Sequence, residues 1–211
     1  MTNLLPRLFI RDYKNLENPT VRSAYGKLAG LVGIFCNVLL FAAKLAIGLL
    51  SGSVSITADA VNNLTDSGSS IVTLVGFKLA GKPADKEHPF GHARIEYLSG
   101  VIVSFIVVFL GLQLGLSSVQ KIVSPEENAL TPAALLVLVV SILVKLWQCL
   151  FYRKVGRMIR SEAVFATSND SRNDVIATTA VLVGAVVTML THVNLDGYMG
   201  ALVALFIIVS G

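Results

Sequence analysis

Charge is scarce in this sequence. Of 211 residues, 14% are Asp, Glu, Lys or Arg against 54% hydrophobic, and the mean hydropathy is +0.73. A soluble domain carries about 25% charged residues, so the shortage excludes a disordered chain, a nucleic-acid-binding domain and most soluble enzymes. Cysteine is nearly absent as well. Cys36 and Cys149 both sit in apolar runs, which argues against a disulfide framework or a cysteine-rich zinc site and leaves two small buried side chains. Residues 1–27 hold no short apolar core followed by a small-residue cleavage site, so they are not a secretory signal peptide.

Long apolar runs are what the chain has in quantity. A helix needs roughly 20 apolar residues to cross a hydrocarbon layer of about 30 Å. Six such runs are present, at about 28–50, 54–78, 95–120, 132–152, 162–192 and 197–211. The expected fold is an all-α membrane protein: a cytoplasmic segment over 1–27, then a transmembrane bundle of six helices over 28–211. In the third run Gly111 and Gly115 make a GxxxG spacing that permits close helix contact. The sixth run stops at Gly211 without a charged flank, which reads as a chain cut short.

The position of the cations says more than the net charge of +4. Arg7, Arg11, Lys14, Arg22, Lys27, Lys78, Lys82, Lys86, Arg94, Arg153, Lys154, Arg157 and Arg160 fall on one side of the six-run layout, and Lys121 alone on the other. Cations gather in cytoplasmic loops, so both termini are expected in the cytoplasm.

Ionisable groups inside a membrane span cost at least a few kcal/mol each and mark sites of function. The second run carries Asn62 and Asp66, the fifth Asp170 and Asp174. Residues four apart share a helix face. Two such faces turned together would gather three carboxylates and one amide carbonyl, a donor set for a divalent cation. The bland alternative is hydrogen bonding between helices, and Asp59, Asn63 and Asn173 are read that way. Lys44, in the first run, snorkels or faces the bundle interior. His192, near a helix end, reads as an interfacial side chain.

These residues carry a resemblance. The runs Ala58-Asp59-Ala60-Val61-Asn62-Asn63-Leu64-Thr65-Asp66 and Asn169-Asp170-Ser171-Arg172-Asn173-Asp174-Val175 resemble the second- and fifth-helix signatures of the cation diffusion facilitator family. The loop His88-Pro89-Phe90-Gly91-His92-Ala93-Arg94-Ile95-Glu96 resembles its HPFGHxRxE segment. The resemblance implies a homodimeric exchanger of divalent metal for protons in a bacterial plasma membrane. It also implies a small cytosolic α/β domain after the sixth helix, which is expected to be absent here. No catalytic residue and no resident cofactor is expected; the metal is cargo.

Zinc-handling members carry His or Asp at the position of Asn62 and His at that of Asp170. Here Asn62, Asp66, Asp170 and Asp174 supply oxygen alone. Imidazole and thiolate favour zinc, whereas carboxylate and carbonyl suit manganese. The pattern resembles the manganese-exporting subgroup, so Mn²⁺ is expected ahead of Zn²⁺ or Fe²⁺. Asp85, His88 and His92 resemble a peripheral metal site of the family, with chemistry adequate for zinc; the alternative is that the histidines shape the loop. Arg94 and Glu96 are expected to pair with other charges at the start of the third helix.

Two readings of other classes compete. An intramembrane aspartyl hydrolase also places acids on two helices, but the Gly-x-Gly-Asp signature of such enzymes is missing. A structural scaffold would have no use for three acids at depth.

Overall fold

A computed structural model describes residues 9–10, 18–80, 93–124, 131–191 and 194–210 of the chain. The described residues form six helices and no strand: α1 (Pro19–Ser51), α2 (Val54–Ala80), α3 (Ala93–Val123), α4 (Pro132–Ile159), α5 (Glu162–Thr191) and α6 (Asp196–Ser210). This is the expected all-α bundle. Two helices outrun the sequence reading. α1 begins at Pro19, not near Leu28, and α4 runs through the basic cluster to Ile159. Apolar content marks where a helix enters lipid, while its hydrogen bonds continue beyond that boundary.

α1, α3, α4 and α5 each contain a stretch long and apolar enough to cross a membrane. α2 is 27 residues long but is interrupted by Asp59, Asn62, Asn63 and Asp66. α6 is apolar with 15 residues, a length of about 22 Å at 1.5 Å per residue. Large apolar side chains face outward: Leu31, Phe35, Phe105, Leu116, Leu143, Ile176 and Leu205 are all exposed. Buried positions include Asn37, Lys44, Asp59, Asn62, Lys145, Gln148 and Asp174. Apolar outside and polar within suits a bundle whose solvent is lipid.

Local chemistry sets the helix ends. Gly52, at φ +64°, makes the tight turn between α1 and α2, a conformation glycine adopts without steric penalty. Ser53 caps α2 by accepting from the Ile56 amide at 3.2 Å. Thr131 caps α4, followed by Pro132 at its first position. Arg160 closes α4 in the left-handed region, at φ 50° and ψ 47°.

α1 packs along α2, α4 along α5 and α3 along α6, with α2 also touching α3 and α6. One apolar cluster (Ile56, Val61, Val107, Leu138, Val181, Ile207) ties the bundle near the α1–α2 turn. Another, around Tyr25, Phe151, Tyr152 and Ile159, joins α1 to α4 at the other end. The GxxxG spacing serves the chain itself. A Cβ on Gly111 would lie 2.7 Å from Ile208 of α6, so glycine there lets α3 and α6 approach.

Buried charge adds two fixed points. At the α1–α2 turn, Asp196 opens α6 and accepts from the Ser53 and Ser55 hydroxyls at 2.5 Å each, and from the Val54 amide at 2.8 Å. A carboxylate against the first amides of α2 is favourably placed in the helix dipole. Lys121 of α3 completes this clasp, 3.0 Å from Asp196 and bonded to the Gly52 carbonyl. Farther along the interior, Lys44 of α1 pairs with Asp59 of α2 at 2.8 Å. Thr178 of α5 accepts from Lys44 and donates to Asp59, both at 3.1 Å. Lys44 therefore faces the bundle interior, and Asp59 bridges helices.

Removing one partner of a buried ion pair costs about 3–5 kcal/mol, whereas replacing both by apolar groups is often nearly neutral. Lys44→Met should therefore destabilise the bundle by about that amount. Lys44→Met combined with Asp59→Leu should recover most of the loss, as measured by unfolding in detergent micelles.

Candidate metal centre

α2 and α5 carry the residues that the sequence singles out. On α2, Asn62 and Asp66 follow Asp59 along the helix, and the turn holding Asp66 is steadied by a Ser70 hydroxyl bonded to the Asp66 carbonyl at 2.8 Å. On α5, Asp174 lies one turn before Thr178. The Lys44–Asp59–Thr178 bridge therefore registers the two helices, and the next turn along brings Asn62 against Asp174. The Asn62 amide donates to Asp174 Oδ1 at 2.7 Å.

A third helix enters this cluster. Lys145 of α4 lies 2.8 Å from Asp66 Oδ2 and 2.6 Å from Asp174 Oδ2. Its side chain is 1% exposed, against 7% for Asp174 and 26% for Asp66. Asn62, Asp66, Asp174 and Lys145 thus form one hydrogen-bonded group joining α2, α4 and α5. The donors accessible to a cation are oxygens: two carboxylates and an amide.

Asp170 is placed differently. It lies one turn from Asp174 toward the α4–α5 junction, is exposed, and makes no ion pair among the described residues. It remains within electrostatic reach of Asp174 and Lys145. Among the described residues no three Asp, Glu, His or Cys side chains close on one point. The structure gathers Asn62, Asp66 and Asp174, and leaves Asp170 at the rim.

Asn63 is buried and donates to the Asp59 carbonyl at 2.9 Å within its own helix. Cys36 and Cys149 are unpaired and half-buried, with Cys149 against Ser168 of α5. Asp85, His88, His92 and His192 lie outside the described residues. Arg94 and Glu96 stand in the first turn of α3.

Lys145 is the residue that the sequence reading missed. Its signal was available: a lone cation within the fourth apolar run, open to the same rule that flagged Lys44. Chain spacing alone does not connect position 145 to 66 and 174.

An apolar exterior around interior polar groups at mid-helix is the architecture of a multi-pass membrane transporter. The chain belongs to the cation efflux, or cation diffusion facilitator, family, whose transmembrane domain matches residues 30–211. Members of that family are transporters, not enzymes. It is similar to an uncharacterized transporter of Methanocaldococcus jannaschii, 30% identical over 194 residues, 92% of this chain and 65% of that protein. The manganese efflux system protein MneS of Bacillus subtilis is 31% identical over 161 residues, 76% of this chain and 56% of that protein. The cation-efflux pump FieF of Cronobacter sakazakii is 33% identical over 162 residues, 75% and 54% of the two chains. The chain thus spans about half to two thirds of the length of these relatives.

The bonding pattern sets different weights on the two acids of α5. Asp174→Leu strips both Asn62 and Lys145 of an acceptor and should lower stability by about 3–5 kcal/mol. Asp170→Leu, at the exposed rim, should change it by less than about 0.5 kcal/mol. Unfolding of the two variants in detergent measures the difference.

Proposed function

We propose that the protein exports Mn²⁺ in exchange for protons, as a homodimer in a bacterial plasma membrane with both termini cytoplasmic. The observation that carries this reading is the approach of Asn62 and Asp66 on α2 to Asp174 on α5 in the bundle interior. Asp170, one turn away, is the fourth donor and closes on the ion when metal is present. A hard, oxygen-only donor set suits Mn²⁺ better than Zn²⁺, which gains from imidazole or thiolate. The similarity to a manganese efflux protein supports the same choice.

Exchange follows from charge. Asp66 and Asp174 share a single ammonium, Lys145, so with Asp170 drawn in beside them the acids outnumber the cation and cannot all remain ionised cheaply away from water. Metal ligands must be deprotonated, so a divalent cation entering from the cytoplasm displaces protons. Alternate opening to the two faces then couples outward metal movement to inward proton movement. In the absence of a histidine among the four donors, Asp66, Asp170 or Asp174 carries the proton. The Lys121–Asp196 clasp lies on the outer side in this orientation.

Zn²⁺ or Fe²⁺ is the second reading for the cargo. A further metal site at Asp85, His88 and His92 is proposed on the sequence alone. Transport of Mn²⁺, Zn²⁺ and Fe²⁺ into proteoliposomes, with internal pH followed in parallel, tests the whole reading. Asp66→Ala and Asp174→Ala should each abolish Mn²⁺ flux while the protein stays in the membrane. Asn62→His with Asp170→His should raise Zn²⁺ flux relative to Mn²⁺. Mn²⁺ movement without proton countermovement contradicts the exchange.

A further inference from the structure

Lys145 touches two of the three carboxylates of the proposed metal site, yet it comes from α4, a helix that supplies none of the four metal donors. Its ammonium bonds Asp66 Oδ2 at 2.8 Å and Asp174 Oδ2 at 2.6 Å. The remaining oxygen of Asp174 receives the Asn62 amide. Each of these three donors is thus already engaged by a partner within the chain. An ammonium hydrogen-bonded to both carboxylates and a divalent ion bound by both cannot occupy the space between them together, because like charges at such range repel strongly away from water.

We propose that Lys145 is a tethered occupant of the cation site, which the incoming metal must displace and which reclaims the carboxylates when the metal leaves. The inference rests on the metal site proposed above and adds a competitor to it. The side chain is suited to the part: a compact charge on a flexible four-carbon stem. An alternative partner lies one turn along the same face of α4. Gln148 is buried and its Oε1 has no hydrogen-bond partner, and residues three apart on a helix are neighbours. An ammonium withdrawn from Asp66 and Asp174 would find an acceptor there.

Such an occupant has two consequences. The empty site keeps a cation between its acids, so the two carboxylates are held together without metal. Affinity for metal is lowered in proportion to the fraction of molecules in which Lys145 fills the site, which favours release. A purely structural lysine would stay bonded to both carboxylates with metal present, whereas a tethered occupant leaves them, so the position of the ammonium in the loaded protein separates the two roles.

Isothermal titration of Mn²⁺ into the purified full chain in detergent tests the competition. Lys145→Met should bind Mn²⁺ about tenfold more tightly than the native protein, the change expected where about a tenth of native molecules have the site open. Lys145→Arg, which keeps a tethered cation, should stay within about threefold of native. Equal or weaker binding by Lys145→Met overturns the proposal. Mn²⁺ binding by neither the native chain nor Lys145→Met removes the metal site itself, and this inference with it.

If Lys145→Met does not accumulate folded, the native chain decides. With lysine labelled at Nζ by nitrogen-15, the Lys145 resonance, assigned by its loss in Lys145→Arg, should move on saturation with diamagnetic Cd²⁺. A resonance unchanged at saturation overturns the proposal.

Discussion

A lysine ammonium enclosed among membrane helices has no water to solvate it and must be met by a carboxylate. Among the described residues it is, three times: Lys44 by Asp59, Lys121 by Asp196, and Lys145 by Asp66 and Asp174 together. In each case the partners come from different helices. Helices in lipid gain little from burying apolar surface against each other, since lipid tails are as apolar as leucine. Here ion pairs fix which helices meet and at what height, and apolar packing fills in around them.

The pairs form a ladder along the interior. The clasp of Lys121, Asp196, Ser53 and Ser55 sits at the α1–α2 turn, where it also caps α2. Asp59 follows one turn beyond Ser55, held by Lys44 and Thr178. Asn62, Asp66, Asp174 and Lys145 come next. The first two rungs join acids to cations one to one. The third sets one lysine against two acids, so it is the rung with negative charge to spare. An exchangeable cation would be attracted to the rung whose charge is not balanced, which is why the proposed site is put there and not at Asp59.

Much of this was legible in the sequence, and the reason is physical. A polar residue in a run of apolar ones carries its own penalty, so Asn62, Asp66 and Asp174 declare themselves without knowledge of the fold. Their i,i+4 spacing gives the shared face, and the length of each run gives the helices. Partnership between helices was harder to see. Lys145 is 79 residues from Asp66 and 29 from Asp174 in the chain, and no local pattern relates the three. The capping of α2 by Asp196 is hidden for the same reason, since it lies 142 residues from Val54 in the chain. Asp170 differs in another way. Its spacing from Asp174 puts it on the right face, but an acid at the end of a face can lie at the exposed surface of the bundle, as Asp170 does.

The account rests on a divalent ion replacing an ammonium between two acids. Anomalous diffraction at the manganese edge, from crystals grown with Mn²⁺, observes that replacement directly. The account predicts a peak enclosed by Asn62, Asp66, Asp170 and Asp174, with the Lys145 Nζ drawn away from Asp66 and Asp174. A peak elsewhere, or Lys145 still bonded to Asp66 and Asp174 in protein loaded with manganese, would contradict it.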